Sequence, residues 1–597
     1  MRQFFKYMLA SMLGTLLIGG VLILILVGAL TAAIASSLSF DSGKPAKVKD
    51  NSVLHITLDQ PVVDRGNEDA FMLDFGPFKN MNPMGLDRIL ASIDKAKRDD
   101  RVKGIFLDLS TMSTGLATAQ EIRNKLIEFR TESGKPVVAF ADWYTQGTYY
   151  LASAADEVYL QPKGDLDFRG LQSEYMFFKG MFEKLDIDVQ FIRGSNNQFK
   201  SFGEVFTNDR MSEANREQTR VLLNSVWGHY LDAVGSGRKM DREKLNGIAE
   251  ELRVREAGDA VALGLIDGLK YRDEMLAMVK ERFDLDREKD IEWTELSRYD
   301  RAFVKGKKDA GGKIAVVFAE GDIMSGESED GTIGSTTLSA AIRDAREDTT
   351  IKAIVLRVNS PGGSGLASDV IWREVKLAKE TKPVVVSMGN VAASGGYYIS
   401  CAAHKIYADP STITGSIGVF GIIPNMQGFF KNKLGITFDG EKTNRYADMM
   451  TTTRPLSEEE KSIIQTYVDQ FYDTFKERVA EGRNLSVAQV DSVGQGRVWT
   501  GSDAKRIGLV DELGGLEDAI KAASAMAGLT EHRTVNYPEQ KPFFEQLMEE
   551  MNAQANMWVA TEWLGKDMEL LRAYQRAERA KDMMGIQARM PYEIRIY

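Results

Sequence analysis

Lys382–Ala403 reads KPVVVSMGNVAASGGYYISCAA. Val384, Val385 and Val386 follow Pro383 as a short β-branched apolar run, which suits a strand buried on both faces of a parallel sheet. The chain then turns through Gly389 and Asn390. Ser394 comes next, backed by Gly395 and Gly396, and Tyr397–Ala403 can open a helix. A serine at such a turn has two readings. Its hydroxyl is exposed as a nucleophile, with helix N–H groups at hand for a developing oxyanion. Or it caps the helix beside two packing glycines. The spacing is not the G-x-S-x-G of the α/β-hydrolases, so only the geometry is shared.

A second stretch bears on the choice. Ile351–Leu356 (IKAIVL) is another apolar strand, and it runs on into Asn359-Ser360-Pro361-Gly362-Gly363-Ser364. Glycines after a strand let backbone N–H groups approach a ligand closely. Gly362 or Gly363 can supply one oxyanion donor and Gly395 the other. A tight turn is the plainer reading. Paired glycines and a serine on consecutive βα units are a more specific signal than either alone.

The 597 residues leave room for roughly two to four domains, and 43% hydrophobic with 27% charged content is that of a globular chain. A net charge of -11 argues against a nucleic-acid partner. Cys401 is the single cysteine, so no intrachain disulfide forms. His55, His229, His404 and His532 are scattered, and no metal cluster is expected. His404 keeps a Ser-His-Asp triad open, but ten residues past Ser394 on a helix is about 15 Å along the axis.

Arg2 and Lys6 flank Tyr7–Phe40, which carries no charged residue. About 20 apolar residues span a bilayer. Met8–Leu30 exceeds the roughly 7–15 residues of a cleaved signal's apolar core. Ala33-Ile34-Ala35 resembles a cleavage site, and Lys44, Lys47 and Lys49 weigh against a clean positive-inside count. The expectation is an uncleaved transmembrane anchor over residues 1–40, with the N-terminus cytoplasmic and the remaining chain outside.

The rest is one unit written twice. Gly134-Lys135-Pro136-Val137-Val138 matches Thr381-Lys382-Pro383-Val384-Val385, and Tyr150–Ala155 matches Tyr397–Ala402, both at an offset of 247. Gly237-Arg238 matches Gly482-Arg483 at 245, and Gly264-Leu265-Ile266-Asp267 matches Gly508-Leu509-Val510-Asp511 at 244. Strands alternate with helical patterns in each copy, which predicts α/β units with parallel strands. Val53–Val62 reads as the first strand, with Lys313–Ile323 its counterpart, and Arg298–Gly312 as the linker. A long amphipathic helix is expected to end each half, the second opened by a Ser457-x-x-Glu460 capping box.

The copies have lost different parts. Ser394 falls on Gly147, and the glycine turn falls near Met112-Ser113-Thr114. Conversely, Lys200 in Gln198-Phe199-Lys200-Ser201 falls on Arg445. Arginine is effectively never deprotonated, whereas a lysine in a dry pocket can be neutral and act as a base. Taken alone, Lys200 reads as a surface lysine.

Four motifs, NSPGGS at 359–364, AASGGYYIS at 392–400, STITGSIGVFG at 411–421 and FKSFGEVFTNDRMS at 199–212, resemble the signal peptide peptidases of the protease IV type, in their long two-repeat form. The resemblance runs from the anchor to about residue 530. It implies two tandem crotonase/Clp-protease-like α/β domains, at 41–300 and 301–530, behind the transmembrane helix, with a tail at 531–597 that it does not cover. It implies a Ser-Lys dyad with no cofactor and no metal: Ser394 as nucleophile, Lys200 as general base, Ser416 orienting the lysine, and Gly362, Gly363 and Gly395 as the oxyanion hole. It also implies a homotetramer at the periplasmic face of a bacterial inner membrane, degrading signal-peptide remnants and other apolar peptides. A crotonase-type acyl-CoA enzyme and a non-catalytic membrane scaffold are the alternatives.

Overall fold

In the computed structural model the duplicated motifs become duplicated contacts. The structure describes residues 3–4, 6–8, 11–15, 18–21, 47–66, 83–109, 111–302, 304, 311–329, 331–540 and 585–590. The first half contributes β1 (Ser52–Ile56), β2 (Val102–Asp108), α1 (Leu116–Ser133), β3 (Val137–Tyr144), α2 (Gln146–Ala152), β4 (Glu157–Leu166), β5 (Asp188–Arg193), α3 (Glu213–Arg238), β6 (Gly268–Leu269) and β7 (Trp293–Glu295). Six of these strands form a wholly parallel sheet in the order β6-β4-β3-β2-β1-β7.

The second half contributes β8 (Gly312–Glu320), β9 (Asp322–Met324), β10 (Thr332–Gly334), β11 (Ile351–Ser360), β12 (Gly362–Ser364), β13 (Val384–Ala393), α4 (Gly395–Ser400), β14 (Lys405–Ala408), β15 (Ile413–Gly415), β16 (Phe420–Asn425), α5 (Glu458–Arg483), β17 (Val498–Thr500), β18 (Glu512–Leu513) and β19 (His532–Tyr537). Its main sheet runs β17-β15-β13-β11-β8-β19, with β14 on β13 and β18 on β14. All these pairs are parallel except β15 with β17. Val384, Val385 and Val386 are at most 1% exposed, as a strand covered on both faces requires.

The repeated residues close each half in the same way. Lys135 Nζ donates to the carbonyls of Ala96 and Asp99, and Lys382 Nζ to those of Ala345 and Asp348. Arg238 pairs with Asp267 at 2.9 Å, and Arg483 with Asp511 at 2.5 Å. Each aspartate also accepts from a strand N–H, of Val158 and of Ile406. A Cβ on Gly237 would strike the Ser153 carbonyl, and one on Gly482 that of Cys401, so a glycine is what lets each long helix come this close to the end of the short one.

Several expectations change. The first strand stops at Ile56, and Val62–Val63 pairs instead with Met84–Gly85; Pro61, with no N–H to give a ladder, separates the two. The long helices α3 and α5, 26 residues each and capped by Ser212 and Ser457, do not end the halves. Further helices and short strands follow both. Arg298–Ala302 packs on the first half, where Tyr299 is fully buried and Asp300 pairs with Arg88. His532–Tyr537, read as tail, extends the second sheet as its edge strand beside β8. Most of the expected anchor lies outside the described residues, and no helix among those described is long and apolar enough to cross a membrane.

The two halves interlock. β5 of the first lies antiparallel on β16 of the second over six residue pairs. Arg357, with no exposed surface, donates to Asp64 at 2.8 Å, to Glu121 at 2.7 Å and to Ser387 at 2.9 Å. Burial opposes its charge, but the two first-half carboxylates more than offset that and hold the guanidinium protonated.

Candidate active site

β13 delivers Ser394 to the head of α4 with φ of +55°. A positive φ on a residue with a Cβ costs on the order of 1–3 kcal/mol. The serine is not a capping residue: its side chain makes no bond to the helix N-terminus. Its N–H donates to the Gly415 carbonyl at 2.8 Å. Its Oγ lies 2.8 Å from Lys200 Nζ, so the turn aims the hydroxyl away from the helix.

Lys200 arrives from the other half. The loop after β5 lies against the second half, with Phe199 N–H donating to the Gln495 carbonyl at 3.0 Å. Gln218 of α3 holds the Phe199 carbonyl at 3.0 Å. Gly496, at φ +81°, lets the lysine pass: a Cβ there would stand 2.6 Å from Lys200 Cβ. Nζ is 3.0 Å from Ser416 Oγ and 3.2 Å from Ser416 O, and 5.9 Å from the Phe420 ring centroid. Ser416 also has positive φ, +49°, and its Oγ donates to the Gly496 carbonyl at 3.2 Å. Lys200 is completely buried, and burial alone drives its pKa well below the usual lysine value.

The glycine turn stands beside this pair. Gly362 has φ of +100°, and its N–H donates to Ser360 Oγ at 3.1 Å. A Cβ on Gly362 would come within 2.6 Å of the Gly395 nitrogen, so the two glycines face each other closely. Ser394, Lys200, Ser416, Gly362 and Gly395 thus lie together within one chain; Gly363 backs onto β9, where a Cβ on it would strike the Ile323 carbonyl. His404 does not join them: it sits past the end of α4 and accepts from Val384 N–H at 3.1 Å. Among the described residues no group of His, Cys, Asp and Glu is arranged to hold a metal ion.

Sequence reasoning missed the groups that house Lys200: Gln218, Phe420 and the Gly494–Arg497 turn. Gly494-Gln495-Gly496 carries a turn signal but nothing that says what it faces. It also missed a strand at Gly585–Arg589 (β20) between β12 and β16. The alternation of Ile586, Ala588 and Met590 with Gln587 and Arg589 was its available signal.

The profile of Peptidase family S49 matches residues 130–286 and 376–530, one match per half. The chain is 38% identical to Protease 4 of Salmonella typhi, over 78% of this chain and 75% of that one. It is 34% identical to Protease 4 of Haemophilus influenzae, over 82% of each. It is 33% identical to the chloroplastic serine protease SPPA of Arabidopsis thaliana, over 76% and 68%. ClpP1 of Listeria monocytogenes overlays on 34% of this chain and 92% of its own at a TM-score of 0.22 and 17% identity, too low to bear on the fold. The class is that of a serine protease on an α/β scaffold. The chain belongs to Peptidase family S49 and carries two copies of its repeat.

Proposed function

We propose that this chain is a membrane-anchored endopeptidase that cuts signal-peptide remnants and other apolar peptides through an acyl-enzyme on Ser394, with Lys200 as general base. One observation carries the reading: a wholly buried amine 2.8 Å from a serine hydroxyl, with its pKa lowered by burial. A neutral amine has two N–H groups and one lone pair. Ser416 Oγ and O, at 3.0 and 3.2 Å, take the two N–H groups and leave the lone pair for Ser394. That is the positioning role of Ser416.

Lys200 takes the Ser394 proton as Oγ attacks the scissile carbonyl. The amides of Gly395 and of Gly362 or Gly363 hold the oxyanion. Protonated Lys200 then gives its proton to the leaving amine. A water, deprotonated by the same lysine, clears the acyl group. No step calls for a cofactor or metal.

The anchor places the enzyme in a bacterial inner membrane with both repeats on the periplasmic side, where apolar peptides leave the bilayer. Recovery of the peptide spanning Ala35-Ser36 by mass spectrometry tests it; a mature N-terminus at Ser36 contradicts it. The enzyme works as a homotetramer. Exposed Met176, Met181 and Leu185, and Leu434, Ile436 and Phe438, joined through the Asp186–Lys433 pair, are the apolar surface that supports assembly. Light scattering of the detergent-extracted enzyme checks the state.

The central test is labelling by a fluorophosphonate. Ser394 is expected to be the labelled residue, and Ser394→Ala to lose both labelling and hydrolysis while its unfolding midpoint stays near that of the parent. Full activity in a folded Ser394→Ala enzyme ends the reading.

A further inference from the structure

The slot beside Ser394 already holds a strand. β20 lies between β12 and β16 and is antiparallel to both. Gly362 pairs with Arg589, Gly363 with Ala588 and Ser364 with Gln587; on the other side Phe420 pairs with Gln587. Met590 N–H donates to the Pro361 carbonyl at 2.7 Å. Without this segment β12 and β16 would present two facing edges with unmade backbone hydrogen bonds. That is the setting in which an extended peptide binds by strand addition.

The register is what gives the segment meaning. The Ala588 carbonyl oxygen is lodged between the two candidate oxyanion glycines. A Cβ on Gly362 would collide with it, and one on Gly395 would meet it at 3.1 Å. Ala588 itself has no exposed surface. Arg589 reaches Asp322 at 2.8 Å. Met590 is buried in a cluster with Leu222 of α3 and with Ala393, Ile413 and Val498, so both halves wall its pocket.

We propose that Gly585–Met590 is an internal competitor that occupies the peptide-binding slot in the register of a substrate, and that peptides enter by displacing it. This rests on reading Gly362 and Gly395 as the site of the peptide carbonyl. Being part of the same chain, the segment competes intramolecularly, whatever the protein concentration. The apparent affinity for an incoming peptide then falls by the fraction of molecules whose slot is open.

The test uses the full-length Ser394→Ala protein, with intact mass verified, and a fluorescein-labelled decapeptide rich in Leu and Ala. Hydrogen exchange is expected to show protected amides at 585–590 in the free protein and loss of that protection at saturating peptide. Adding Ala588→Trp, too large for a buried position, is expected to evict the strand and tighten peptide binding about tenfold. Amides at 585–590 that exchange freely in the peptide-free protein, or stay protected at saturating peptide, overturn the proposal. So does an affinity that Ala588→Trp leaves unchanged in a protein whose exchange shows the strand released. A failure of Ser394 as nucleophile would appear in hydrolysis by the parent enzyme and not in these binding measurements, so the two readings fail separately.

Discussion

The strand-to-helix turn is built twice, and its two copies differ in backbone as much as in side chain. In the first half Thr145 has φ of -72°, and its hydroxyl accepts from Thr148 N–H at 3.2 Å. Such a cap is worth about 1 kcal/mol. In the second half Ser394 has φ of +55°, makes no cap and faces Lys200. One copy is relaxed, and the other holds strain where its hydroxyl meets the Lys200 amine. The lysine position differs in the same sense. Lys200 is buried without a counter-ion as a cause of its shift, while Arg445 stands exposed and bonded to Glu459.

Breaking the lysine side of this contrast has the largest expected effect. Lys200→Arg should lower kcat/KM nearly as far as Lys200→Ala, on the order of 10³-fold or more, because a permanent cation accepts no proton. Steady-state hydrolysis of an apolar peptide measures it, and near-normal turnover in Lys200→Arg would refute the division of labour. The parent activity should rise with pH as the amine, held below the usual lysine value by burial, loses its proton. Stability follows the same sign. The unfolded chain binds the extra proton between the lowered folded pKa and about 10.4, so stability rises with pH through that window. Lys200→Met should remove this rise, read as Tm against pH.

Next comes the clamp between the halves. Arg357→Ala leaves Asp64 and Glu121 buried without their cation and should cost about 3–5 kcal/mol in urea unfolding. A loss below about 1 kcal/mol would mean that water or rearrangement relieves both carboxylates.

A smaller effect is expected at Ser416. Ser416→Ala removes the hydroxyl bond to Lys200 and keeps the carbonyl bond, so kcat should fall about tenfold with KM little changed. An equal loss in both Ser416→Ala and Lys200→Ala would make Ser416 part of the base itself. Smallest of all, Arg445→Lys added to Lys200→Arg should restore nothing, since position 445 lies at the surface, bonded to Glu459, where an amine is solvated and stays protonated. Any recovery above the Lys200→Arg level would show that the halves are interchangeable.

Much of this was legible in order along the chain. Local periodicity marked β11 and β13, because strands covered on both faces need unbroken apolar runs. The repeat offsets marked which residues recur, and the structure shows why they do: Lys382, Arg483 and Asp511 close the second half as Lys135, Arg238 and Asp267 close the first. The serine turn was legible as a turn, with its hydroxyl left between capping and chemistry. A backbone φ of +55° separates those two, and no side-chain pattern encodes it.

Two α/β repeats, the apolar strands β11 and β13 and the separate fates of Ser394 and Lys200 follow from the sequence alone, since these rest on short-range patterns and on comparison of one half with the other. Only the tertiary structure decided that Lys200 meets Ser394 within one chain, 194 positions apart, and that its amine is dry. It alone decided that Arg357 ties the halves together and that Gly585–Arg589 fills the slot between β12 and β16. A depressed lysine pKa, a buried ion cluster and a borrowed strand each depend on which distant groups exclude water or offer an unpaired edge. That is a property of packing, and no local pattern carries it.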